Sequence, residues 1–260
     1  MKHIQSRDNP FFKELVKIGG SARQRGKANQ TLLDGTHLLA AYLDSGKLPQ
    51  HILLNAAALR DAEITALLER AAGVPVTQLD DKLFAELSEL KTPSGVLALI
   101  GLPQPAGTIA DSRFALLLED IQDPGNLGSM LRSAAAAGCD AVFLSTGCAD
   151  AWSPKVLRAA MGGHFALNIF ERQDLRGVAR VFSGALLAAS LQAKHSLYGC
   201  DLRGDVAFLV GNEGAGLSAG LLDMATQTVA IPMPGKIESL NAAAATAICL
   251  FEAVRQRVEP

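Results

Sequence analysis

Runs of continuous apolar residues, each followed by a stretch with helical spacing, recur along the chain. In the first hundred residues "TLLDG" precedes "THLLAAYLDSG", "HILLN" precedes "AAALRDAEITALLERAAG", and "VPVTQL" precedes "DDKLFAELSEL". The segment "SGVLALIG" then closes the series, which predicts an α/β unit over 1–103. The Pro- and Gly-rich "LPQPAGT" at 102–108 reads as a linker. From 109 to 260 the alternation strengthens, with strands expected at 114–119, 141–145, 185–190, 206–211 and 228–231. Helices are expected near 126–137, 153–161, 216–225 and 240–257. Strands without polar alternation, separated by helices, form a parallel sheet covered on both faces. Such sheets bind ligands beyond the carboxyl ends of their strands. Three unusual loops fall there: "DPGN", "GNEGAG" and "IPMPGKIESLN".

Composition refines the picture at three points. With 49% apolar residues in 260, a sizeable core can be buried. The net charge of -2 hides a basic start: residues 1–30 hold seven Lys and Arg against Asp8 and Glu14. Such an arm suits an anionic partner, most often nucleic acid, and equally describes a solvated, partly frayed terminus. Cys139, Cys148, Cys200 and Cys249 show neither CxxC pairing nor histidines at metal-ligand spacing, so reduced thiols and no zinc site are expected. With no apolar leader in "MKHIQSRDNPFF" and no 18-residue apolar run, the expectation is a cytoplasmic protein without a membrane span.

The loops carry the candidate chemistry. Pro124-Gly125 makes a turn, Asn126 suits a helix N-cap, and Gly128 and Arg132, four apart, share a face. An arginine there either grips a phosphate in a fork or pairs with a surface carboxylate. Gly211, Gly214 and Gly216 around Asn212 and Glu213 resemble a phosphate cradle, but no G-K-[ST] follows and Glu213 would repel a triphosphate. The prolines of 231–241 fix the backbone so that its unpaired N–H and C=O groups can be read by a ligand. Ser239 and Asn241 sit where either could cap the last helix, and the alanines at 242–245 permit close packing against another backbone.

Taken together and in this order, "NLGSMLR", "GNEGAGLS" and "IPMPGKIESLN" resemble the SpoU branch of the SPOUT RNA methyltransferases. The basic start and "TLLDGTHLL…TPSGVLALIG" are similar, more loosely, to the N-terminal substrate-binding domain of two-domain members. "ATAICLFEAVRQR" is similar to bacterial enzymes that methylate guanosine ribose in large-subunit ribosomal RNA. The resemblance implies an α/β fold whose C-terminal segment makes a deep trefoil knot, with a smaller N-terminal α/β domain for substrate. It implies S-adenosylmethionine as cofactor, held by Gly211, Ile231 and Leu240 mainly through backbone, and no metal. It places Asn126, Arg132, Glu213, Ser239 and Asn241 at the reaction centre. The implied partners are RNA, ribosomal rather than transfer, and a second copy of the chain through the C-terminal domain. Because a guanidinium deprotonates only far above neutral pH, Arg132 is assigned to positioning rather than to proton removal. Two rivals stand beside this reading: a non-catalytic RNA-binding protein of the same fold, and a Rossmann oxidoreductase using NAD. The second lacks its G-x-G-x-x-G after an early strand.

Overall fold

The computed structural model describes residues 1–258 and resolves into two compact units. One comprises Met1–Pro103 with Trp152–Phe165, the other Gln104–Ala151 with Ala166–Pro260.

In the first unit the chain forms β1 (Lys2–Ile4), α1 (Pro10–Gly20), α2 (Ala22–Ala28), β2 (Gln30–Asp34) and α3 (Thr36–Asp44). There follow β3 (His51–Leu54), α4 (Ala62–Arg70), β4 (Val76–Leu79), α5 (Asp81–Leu87) and β5 (Val96–Gly101). The sheet order is β1-β4-β3-β5-β2, with β5 antiparallel to both its neighbours. Phe12, Leu15 and Ile18 of α1 join Leu53, Leu79, Phe84 and Leu97 in one buried cluster. The basic start is therefore two ordered helices rather than a frayed arm, because α1 has an apolar stripe at i, i+3, i+6 to bury. Several of its cations are committed locally. Arg25 is buried and donates through Nη1 to the carbonyls of Ile18 and Gly19, both at 2.8 Å, closing the end of α1. Arg7 pairs with Glu86 and Lys13 with Asp8. Lys17, Arg23 and Lys27 stay exposed, with no ion pair among the described residues.

The second unit begins with β6 (Phe114–Leu118), α6 (Pro124–Ala137) and β7 (Ala141–Leu144). The helix α7 (Pro154–Ala160) intervenes and groups with the first unit. Then come β8 (Asn168–Phe170), α8 (Leu175–Val181), β9 (Ala185–Ala189), β10 (His195–Ser196), β11 (Val206–Val210), α9 (Ala219–Leu222), β12 (Gln227–Ala230) and α10 (Ala242–Val258). The strands β1, β8 and β10 and the helix α8 had no clear signal, being two to seven residues long. All pairings in this sheet are parallel, in the order β10-β12-β9-β11-β6-β7-β8. The central β6 and β11 are buried at every position, as parallel strands covered on both faces must be. Ala115 and Leu117 face a cluster with Leu175 and Ala179 of α8. On α6 and α10, which pack on each other, the buried residues include Gly128, Ala134, Ala243 and Ala253, small enough for close backbone approach.

All four cysteines are free. Burial pushes the Cys139 and Cys249 thiols up to about 12, which makes them core residues rather than nucleophiles. Near the end of α10, Glu252 accepts from Arg255 at 2.8 and 2.9 Å and from Gln256 at 2.8 Å. Gln256 also bonds Leu202 and Cys200, tying the helix to the segment before β11. The Arg255 hydrogen bonds hold the Glu252 carboxyl below its ordinary 4.5. A depressed carboxylate contributes stability above its unfolded value and loses it as the pH falls through the folded one. Glu252→Gln should thus melt below the parent at neutral pH, with the gap closing under acid conditions. A gap constant from neutral to acid pH in thermal melts would reject this account.

Candidate active site

The three loops singled out in the sequence meet at the carboxyl end of the parallel sheet, all within the second unit. The first leaves β6 and enters α6. Asp123, not Asn126, is the N-cap: its Oδ1 accepts from the Asn126 amide at 2.7 Å, and Pro124 occupies the first helical position. The Asn126 side chain is thereby released for another purpose. Its Nδ2 donates to Glu213 Oε1 at 3.0 Å, and its Oδ1 accepts from Asn241 Nδ2 at 2.9 Å. Asn241 does cap: its Oδ1 accepts from the amides of Ala243 and Ala244 at 2.9 and 3.2 Å, closing the start of α10. A helix cap is worth about 1 kcal/mol, so Asn241 stabilises its helix while holding Asn126.

The second loop, 211–218, is shaped by its own polar groups. Asn212 Oδ1 accepts from the amides of Gly214 and Ala215, and its Nδ2 donates to the Asp120 carbonyl at 2.9 Å. Gly211 is buried where the loop folds back. A Cβ there would lie 2.2 Å from the Gly216 carbonyl carbon and 2.4 Å from the Leu217 nitrogen, so only glycine fits. Gly211 therefore meets its own loop's backbone closely. Ser218 is held by Glu119, whose carboxylate accepts from both its amide and its hydroxyl at 2.7 Å.

In the third loop, the main chain from Pro232 to Leu240 makes no hydrogen bond to other groups among the described residues. Its donors and acceptors stand free beside the other two loops. That is the property a polar ligand read through backbone groups requires, and it fits the amino acid and nucleoside portions of S-adenosylmethionine. Ile231 is half-buried, Leu240 is 41% exposed and Ile237 is 72% exposed, so apolar surface borders these backbone groups.

Two expected site residues are not drawn into this cluster. Ser239 is exposed and makes no hydrogen bond among the described residues. Arg132 is exposed on α6, without a hydrogen bond or ion pair among the described residues. Six residues separate it from Asn126, which on a helix means about 9 Å along the axis and a third of a turn around it. Gly128, one turn before Arg132, is buried while the guanidinium stands in solvent. Glu119, Asp120 and Ser218, which organise the loops, had no signal of their own. An acid pair directly after a buried strand is the one hint the chain offers.

Comparisons with known proteins bear on the family and the fold. Residues 113–251 match the SpoU rRNA methylase family, and residues 9–98 match an MRM3-like substrate binding domain. The Bacillus subtilis 23S rRNA (guanosine(2553)-2'-O)-methyltransferase RlmP is 34% identical over 96% of this chain and 98% of its own length. An S-adenosylmethionine-bound rRNA methyltransferase from Sinorhizobium meliloti superposes with a TM-score of 0.84 at 26% identity, covering 98% of this chain and 97% of that one. The SpoU methyltransferase AviRb from Streptomyces viridochromogenes, also with that cofactor, gives 0.84 at 27% identity over 97% of this chain and 100% of its own. With a family match spanning more than half its length and a relative alike from end to end, the chain belongs to the SpoU rRNA methylase family.

Proposed function

We propose that Asn126, Arg132, Glu213, Ser239 and Asn241 form the reaction centre of an S-adenosylmethionine-dependent methyltransferase acting on a ribose 2′-hydroxyl of ribosomal RNA. The observation that carries this is the bonded convergence of three segments far apart in the chain on one amide, that of Asn126. When bound, the cofactor supplies an electrophilic methyl group, and the ribose oxygen exchanges its proton for it. Catalysis then needs alignment and a place for that proton, not a redox or nucleophilic side chain. The free backbone of 232–240, with Gly211, Ile231 and Leu240 at its borders, would hold the donor. Glu213 and Asn126 would orient the sugar, and Ser239 would add a hydroxyl at the same edge. Arg132 would grip the phosphate or the hydroxyl with its fork of donors.

Arg132 is exposed and holds no hydrogen bond or ion pair among the described residues, which supports a site completed by a second copy. The exposed side of α10 offers the seam: Ala244, Phe251 and Val258 recur at seven-residue spacing, with Phe251 47% and Val258 74% exposed. The knotted path implied by the resemblance belongs to the same reading. Strand β12 lies beyond β9, whereas α10 packs on β11 and α6, which supports a path for 231–241 back past the 211–218 loop. A cofactor-bound crystal structure with 231–241 passing outside that loop would remove the knot. The exposed Lys17, Arg23 and Lys27 would add salt-sensitive phosphate contacts. Among the described residues no helix is long and apolar enough to cross a membrane, and the proposed place of work is the cytoplasm.

Arg132→Ala should abolish methyl transfer from labelled donor to ribosomal RNA while donor affinity by calorimetry stays within a few-fold. Unchanged turnover would reject the assignment. For the seam, Phe251→Asp should shift the protein from dimer to monomer in sedimentation and reduce activity with it; a parent protein that sediments as a fully active monomer would refute the shared site. Reversing Lys17, Arg23 and Lys27 to Glu should weaken RNA binding and flatten its salt dependence, with donor binding unaffected. Equal RNA affinity across salt concentrations would exclude these cations from the interface.

A further inference from the structure

The loop that carries Glu213 pairs only with itself among the described residues, through a bridge between Asn212 and Gly216, and its ends are suspended from two consecutive residues just after β6. Glu119 takes the far end: Oε2 accepts from the Ser218 amide and Oε1 from the Ser218 hydroxyl, each at 2.7 Å. Asp120 takes the near end, its carbonyl accepting from Asn212 Nδ2 at 2.9 Å. For consecutive residues to reach both ends, the chain must turn sharply between them. It does so at Asp120, with φ of 54°. A left-handed conformation crowds the Cβ of a non-glycine residue, so it needs support. Ser145 supplies it, accepting from the Asp120 amide at 2.9 Å and donating to Asp120 Oδ1 at 2.6 Å. The space beside that carboxylate is kept by Gly147, where a Cβ would stand 2.2 Å from Oδ1.

We propose that Glu119 and Asp120 are positioning residues for methyl transfer: they suspend both ends of the 211–218 loop and so hold the Glu213 carboxylate against Asn126. This rests on reading Asn126, Glu213 and Asn241 as the reaction centre. Neither residue bonds Asn126, Asn241 or Arg132 among the described residues, so their influence passes through the loop. Within Glu119, the hydrogen-bond pattern matters rather than the charge. A glutamine there keeps an oxygen for the Ser218 amide and offers an N–H to the Ser218 oxygen, whereas alanine removes both contacts.

The test uses the full-length enzyme, ribosomal RNA and single-turnover methyl transfer with excess enzyme, alongside thermal melts and RNA affinity. Glu119→Ala should slow transfer by about 30-fold, the loss of two charge-assisted bonds, with RNA affinity unchanged. Glu119→Gln should recover most of that loss, to within about fivefold of the parent. Ser218→Ala removes only the hydroxyl contact and should fall between, at about three- to tenfold, so the proposal stays testable even if Glu119→Ala folds poorly. The deciding measurement is coupling: in a Glu213→Ala background, adding Glu119→Ala should slow transfer by no more than about twofold, since its effect runs through Glu213. Full multiplication of the two losses, or a glutamine as damaging as alanine, would overturn the proposal. Glu213→Ala retaining parental turnover would instead remove the reaction centre itself, a separate and distinguishable failure.

Discussion

One carboxamide joins the parts of this enzyme that matter. Asn126 has one side-chain oxygen and one NH2 group, and each is used across a long stretch of sequence, toward Asn241 and Glu213. The direction of the chain of bonds is forced. The α10 amides give their protons to Asn241 Oδ1, which leaves only its NH2 to face Asn126. Asn126 then presents its own NH2 to a carboxylate, which in ionised form can only accept. The helix start at α10 thus sets the orientation of two amides and the seat of one acid. Asn126→Asp would set a second carboxylate against Glu213, and Asn241→Asp would leave the Asn126 oxygen facing an ionised group that cannot donate.

The sheet makes that meeting possible. Because every strand pairing in the second unit's sheet is parallel, the loops after β6, β11 and β12 leave from the same edge. Parallel strands demand crossovers, and the crossovers bury both faces, which is why β6 and β11 read as unbroken apolar runs. Small residues on α6 and α10 let those helices approach, bringing Asn126 and Asn241 within reach of each other. The apolar core supplies the free energy of folding, while the polar contacts at the edge select one loop arrangement among several of similar burial.

Much of the fold was legible because it rests on periodicity. Four strands of the first unit and five of the second announce themselves as apolar runs, and α3, α4, α6 and α10 as spaced patterns. What escaped was short or locally ambiguous. β8 and β10 have three and two residues and are set by their neighbours' register. The start of the chain stands out by its charge, yet its fate is decided by Phe12, Leu15 and Ile18, which need a sheet to cover. At Asn126 local chemistry misled: asparagine is a good cap, but Asp123 sits where the turn places the cap, and the amide was taken elsewhere.

The sequence by itself determined the fold class, the three loops and the family, since these depend on residue order, hydrophobic period and motif; that Trp152–Phe165 groups with the first unit, not with the 109–260 stretch, was decided by tertiary contacts. Only the tertiary structure decided which polar groups touch. It showed that Glu119 and Asp120 suspend the glycine loop, that Gly211 meets its own loop's backbone, and that Arg132 is exposed without a hydrogen bond among the described residues. Hydrogen bonds reach about 3 Å and depend on direction, and the residues forming these lie many strands apart in sequence. No local pattern encodes that distance; it is fixed when the parallel sheet aligns its strand ends.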